Sequence, residues 1–96
     1  MTKKNIRKYS DPEAVLEKGL EKFGPSFKLY YSQDKDKKYS VVNPSTSEVV
    51  SFGQMGYEDY TKHQDAERRQ NFKSRNADWR NQPKYSPAYL SYHLLW

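Results

Sequence analysis

Eleven consecutive residues without a charged side chain, Ser86 to Trp96, bring this 96-residue sequence to Leu94-Leu95-Trp96. Apolar aromatics in such a run must be enclosed, either in the fold's own core or against a neighbouring protein. The core available to receive them is small. A single domain is all that 96 residues allow, and a chain of this size leaves much of its surface in water. Leu, Ile, Val and Phe account for 16 residues, under the roughly 20% below which disorder becomes a concern. Nine Tyr, four Phe and two Trp make up the shortfall. Each aromatic buries about 150–250 Å² when enclosed, and tyrosine keeps a polar tip that suits an interface as well as an interior.

Local signals give the expected order of elements. Asp11-Pro12-Glu13 reads as a helix start, with an N-cap acid, proline at the first helical position and an acid in the first turn. Val15, Leu16, Leu20 and Phe23 follow at helical spacing and Gly24-Pro25 ends the run, predicting a helix over 12–23. Three alternating stretches come next: Ser26–Ser32, Lys38–Asn43 and Glu48–Phe52. They are separated by the turn-rich segments 34–38 and 43–47. Gly53 and Gly56 break the last strand and favour left-handed turns. Asp65 caps a further helix to about Arg75, with Arg68, Phe72 and Arg75 on one face and Arg69 and Lys73 on another. Residues 76–84 read as a loop pinned by Trp79, and Ser86-Pro87 opens a last short helix over 87–95. The expected fold is α+β: a small three-stranded antiparallel meander with short helices N-terminal and C-terminal to it. Lys3, Lys4, Arg7 and Lys8 carry charge without an acid among them, so residues 1–10 are expected to form a basic arm and residues 11–96 the domain.

Charge and composition narrow the classes of function. Seventeen basic against 12 acidic residues give a net charge of +5, which favours acidic partners. No cysteine is present, so neither disulfides nor thiolate chemistry arise. No apolar run approaches the ~18 residues of a membrane span, and no signal peptide follows the basic start. A protein that does not span a membrane is expected.

Few residues suggest catalysis. His63 and His93 are the only histidines, and a metal site needs three or four converging ligands. Thr61, His63 and Asp65 alternate, and residues two apart do not face each other on a helix. Gly53-Gln-Met-Gly56 lacks the Gly-Lys-Ser/Thr ending of a phosphate loop and the third glycine of a dinucleotide fingerprint. No catalytic residue, cofactor or metal is therefore expected. Residues 57–84 mix seven basic side chains with five acids, a weak footprint for nucleic acid that fits protein–protein ion pairs better.

The residues Gly53, Gly56, Tyr57, Asp59, Tyr60, Thr61, His63, Asp65, Arg68, Arg69, Phe72, Arg75, Trp79, Ser91, Leu94, Leu95 and Trp96 form one extended pattern. It resembles a family of small proteins encoded by nucleocytoplasmic large DNA viruses, the phycodnavirus, iridovirus and mimivirus relatives. The likeness covers residues 52–96, and Asn76 departs from it where the family has histidine. The resemblance implies a non-enzymatic virion structural protein, a minor capsid or cement protein. Such a protein bridges or stabilises capsomers of the major capsid protein, is assembled in the host cell and contacts other minor capsid proteins. Its partner-binding residues would be Tyr57, Tyr60, Arg68, Arg69, Phe72, Trp79, Tyr92 and Trp96. The alternative is a small nucleic-acid-associated viral protein, in packaging or regulation, with weak nucleic-acid contact.

Overall fold

The computed structural model describes residues 5–96, so Lys3 and Lys4 of the expected arm lie outside the described residues. The order of elements begins with a 3₁₀ turn, Ile6–Lys8, then α1 (Pro12–Phe23), β1 (Tyr30–Tyr31), β2 (Lys37–Val42) and β3 (Val49–Gln54). It continues with α2 (Tyr60–His63), α3 (Ala66–Arg75), a 3₁₀ turn over Ala77–Asn81, α4 (Pro87–Leu90) and a π-helical turn, Ser91–Leu95. The three strands form an antiparallel meander in the order β1-β2-β3, and helices stand on both sides of it in the chain. The fold is α+β, as the alternation and capping signals predict.

Helix α1 has the expected bounds. Asp11 caps it by accepting the Ala14 N–H at 3.3 Å, and Pro12 occupies its first turn. Its inward face is rotated from the one read off the sequence: Pro12, Val15 and Gly19 are buried, while Leu16 and Leu20 stay 39% exposed. The reason is Gly19, where the Phe27 ring seats so closely that a Cβ would lie 2.1 Å from its Cε2. Phe27 also stacks on Phe23 at 5.3 Å. This docking draws residues 26–29 away from the sheet, so the first strand shrinks from the expected Ser26–Ser32 to a pair, Tyr30 opposite Ser40 and Tyr31 opposite Tyr39.

Alanine at position 19 should therefore destabilise the protein despite its better helix propensity. The propensity gain is about 1 kcal/mol, but overpacking costs about 1–3 kcal/mol, and here the ring must leave its seat. Gly19→Ala should lower the melting temperature by several degrees in a circular dichroism scan. A rise would show that Phe27 moves aside freely.

Strand β2 is central and covered, with Lys38, Tyr39, Ser40 and Val41 all buried. The core gathers Ile6, Val15, Tyr39, Val41, Phe52, Leu90, Leu94 and Leu95. Three of these, Leu90, Leu94 and Leu95, come from the uncharged run, which packs internally. Residues 5–10 do not stand off as an arm. Ile6 is in the core, and Ser10 is buried and bonded to Tyr39 and Thr61. Among residues 5–10 the basic side chains are Arg7, paired with Glu13 at 2.7 Å, and Lys8, both exposed. No helix among the described residues is long and apolar enough to cross a membrane.

Candidate functional site

Behind the Gly53–Gly56 turn a buried polar chain fixes the loop that follows. Lys38 and Asp59, exposed by 2% and 1% at their side chains, form an ion pair at 3.0 Å. Lys38 Nζ also donates to the Tyr57 carbonyl at 2.7 Å. Thr61 donates its hydroxyl hydrogen to the other Asp59 oxygen. Since a hydroxyl has one hydrogen, Thr61 can only accept from Ser10 Oγ at 3.1 Å, and Ser10 accepts from the Tyr39 hydroxyl at 2.7 Å. Every hydrogen in the chain thus points toward Asp59. Burial holds the Lys38 pKa below its ordinary value against the pull of Asp59, and drives the Tyr39 phenol upward. Asp59 and Thr61 therefore act as structural fasteners that join residues 9–11, β2 and α2.

Helix α2, absent from the sequence-based expectation, is one turn that this fastening creates. Gln64 leaves it at φ 53°. Asp65 then caps α3 by accepting from the N–H groups of Glu67 and Arg68. His63 Nδ1 accepts the Asp65 N–H at 2.9 Å, which puts the proton of the neutral ring on Nε2, an atom buried without a hydrogen-bond partner. Burial, and next Arg68, lower the His63 pKa, so the ring stays neutral as it packs 5.2 Å from Trp96.

Helix α3 has no buried residue. Its tie to the fold is aromatic: Phe72 stacks on Trp96 at 4.3 Å with 6° between planes, and Trp79 meets Phe72 edge-on at 5.7 Å. Arg69 Nε donates to the Trp96 main-chain oxygen at 2.7 Å. The sheet edge, the fastened loop, α3 and the C-terminal turn leave between them a cleft of about 900 Å³. Phe52, Phe72, Trp79, Leu95 and Trp96 give it apolar walls, and Lys37, Arg68, Arg75 and Glu58 supply charge beyond the Lys38–Asp59 pair. Among the described residues neither Arg68 nor Arg75 makes an ion pair. They stand seven residues apart on one helix face, two turns or about 10.5 Å, with Phe72 between them. Gly53, at φ 78°, borders the cleft where a Cβ would come within 2.8 Å of Leu95 Cδ1.

Five of the eight expected partner-binding residues, Tyr57, Arg68, Phe72, Trp79 and Trp96, line this cleft, with Tyr57 67% exposed beside it. The other three do not. Tyr60 lies under Lys18 Nζ at 5.5 Å and Arg69 Cζ at 5.0 Å. Tyr92, only 8% exposed, is covered by Lys73, so its ring is committed to packing. Asn71 and Arg75 complete the cleft face of α3 and follow from the i, i+3, i+7 spacing of Arg68. Lys37 and Glu58 have no linear signal. His93 Nε2 donates to the Arg80 carbonyl at 3.2 Å, its pKa lowered mainly by burial. Among the described residues no group of three or more His, Cys, Asp or Glu could hold a metal ion.

No curated protein and no solved structure matches the chain. A family model described as a family of unknown function (DUF5754) matches residues 27–76, which span β1 through α3 and the cleft wall from Lys37 to Arg75. With just over half of its length matched, the chain belongs to that family.

Proposed function

We propose that this is a non-enzymatic virion structural protein, a minor capsid or cement protein that grips a neighbouring capsid protein through the cleft. The cleft carries the reading. Its Trp, Tyr and Arg side chains are the types that dominate binding energy at protein interfaces. Neither Arg68 nor Arg75 has an ion-pair partner among the described residues, so charge complementarity calls for an acidic segment. The face Arg68–Phe72–Arg75 suits a segment with an apolar side chain flanked by acids, each able to meet a guanidinium in a two-toothed hydrogen-bonded pair. The resemblance to capsid-associated proteins of large DNA viruses supplies the identity of the partner: the major capsid protein or another minor capsid protein.

Quantitative mass spectrometry of purified particles should find the protein at a fixed ratio to the major capsid protein. Trp79→Ala together with Arg68→Glu should weaken binding to the isolated partner by more than about 30-fold, the equivalent of about 2 kcal/mol for an interface anchor. Particles that lack the protein, or variants that incorporate at the wild-type ratio, would defeat the proposal.

A further inference from the structure

Helix α3 has a second working face. Ala66, Arg69, Gln70, Lys73 and Ser74 lie along it at helical spacing and, with Tyr92, line a separate hollow of about 470 Å³. The hollow's polar lining is made of two cations, an amide and two hydroxyls, with no carboxylate. Lys18 of α1 is not part of the lining, but it lies close enough for its charge to act on Lys73. Its ammonium and the Arg69 guanidinium both lie over the Tyr60 ring, at 5.5 and 5.0 Å, which places the two charges within about 11 Å of each other by the sum of those distances. Lys73 lies over Tyr92 at 4.7 Å. Among the described residues, none of Lys18, Arg69 and Lys73 has an acidic ion-pair partner.

We infer that this hollow is an anion site that takes a phosphoryl group, held by Lys73 and Arg69 with Gln70 and Ser74 as neutral donors, and that Lys18 adds attraction from nearby. Three observations support it. Lys73 and Arg69 are aligned by rings; Arg69 spends its Nε hydrogen on the Trp96 main-chain oxygen, while its two terminal nitrogens and the Lys73 ammonium keep donors for a ligand. The lining is rich in donors, as tetrahedral oxyanions require. Concentrating like charge is also costly: burial and the charges of Arg69, Lys18 and Lys22 lower the Lys73 pKa to about 8, and burial and Arg69 lower that of Lys18 against the pull of Asp59 and Glu21. The other groups near Lys73 are the Tyr92 ring and His93, whose own pKa Lys73 helps to depress. A bound phosphate would reverse this repulsion. The site is separate from the cleft and does not rest on the proposed capsid role, because the two hollows use opposite faces of α3.

Titration calorimetry with inorganic tripolyphosphate tests it, at low salt and at about 0.15 M. Saturable binding is expected. Lys18→Gln/Lys73→Gln should weaken it at least tenfold, whereas Lys28→Gln/Lys35→Gln, which removes equal charge from exposed positions elsewhere, should change it less than twofold. Tripolyphosphate should also raise the Lys73 side-chain pKa of the wild-type protein, followed by NMR, a measurement that needs no variant. A short oligothymidylate forms the second arm. If the same double variant abolishes its binding, the phosphates come from a nucleic-acid backbone; if only tripolyphosphate binds, the ligand is a soluble phosphate. No saturable binding, equal losses in both double variants, or a Lys73 pKa that tripolyphosphate leaves unmoved would each overturn the assignment.

Discussion

Asp59→Ala should destabilise this protein by about 3–5 kcal/mol, the loss that follows when one member of a buried ion pair is removed. That is a large share of the roughly 5–15 kcal/mol that holds a small domain together. The substitution leaves the Lys38 ammonium buried with only carbonyl acceptors, at Tyr57 and more distantly at Tyr9. It also strips Thr61 of its acceptor, so the hydroxyl chain to Tyr39 loses its endpoint. Urea denaturation followed by circular dichroism measures the cost. The pH dependence has a definite sign. Burial depresses the Lys38 pKa in the folded state, and removing Asp59 takes away the main pull against it, leaving the weaker one of Glu58. Below its unfolded pKa of about 10.4 the unfolded chain then holds the proton more tightly than the folded one, so stability rises with pH. The deficit of Asp59→Ala should shrink between pH 7 and 9.5. Lys38→Met combined with Asp59→Leu should recover much of the loss, since apolar replacement of a whole buried pair is often neutral. A loss under about 1 kcal/mol for Asp59→Ala would show that the pair contributes little.

Removing Leu94, Leu95 and Trp96 should leave the rest of the chain unfolded. Leu94 and Leu95 are 0% and 2% exposed, and a buried leucine contributes about 2–5 kcal/mol. Two of them together rival the entire stability of the domain. Trp96 adds its stack on Phe72 and its contact with His63. A far-ultraviolet spectrum of the truncated protein should be that of a coil, with no cooperative melting. Trp96→Ala alone separates packing from docking. Both leucines remain, so the fold should persist while the cleft loses one wall and partner binding falls. A truncated protein with a native spectrum would refute the internal role of the run.

The parts of this fold that were legible are those whose cause lies within a few residues. Asp11-Pro12 and Gly24-Pro25 bracket α1 because caps and breakers act locally, and the two faces of α3 follow from helical spacing alone. What escaped notice depends on residues far apart in the chain. Lys38 stands in a lysine-rich turn that looks solvated, and only the folded chain brings Asp59, 21 positions later, to its ammonium. The length of β1 was decided by a glycine on another element that admits Phe27. The cleft was half visible: its α3 wall could be read from spacing, whereas Lys37, Glu58 and the edge of β3 join it only through tertiary packing. Tyr92 misled for the same reason, since the lysine that roofs its ring, Lys73, stands far from it in the chain and meets it only in the folded protein.

The absence of any buried side chain on α3 has a consequence for how the protein opens. Segments with little enclosed apolar surface detach at a lower free energy than the sheet they rest on, as sub-global units. Here the unit that detaches is the shared wall of both hollows. Each excursion dismantles the two together and each return rebuilds them together. An occupant of either one favours the closed helix by mass action and so bears part of the ordering cost that the other would otherwise meet. The two surfaces are thereby coupled without touching.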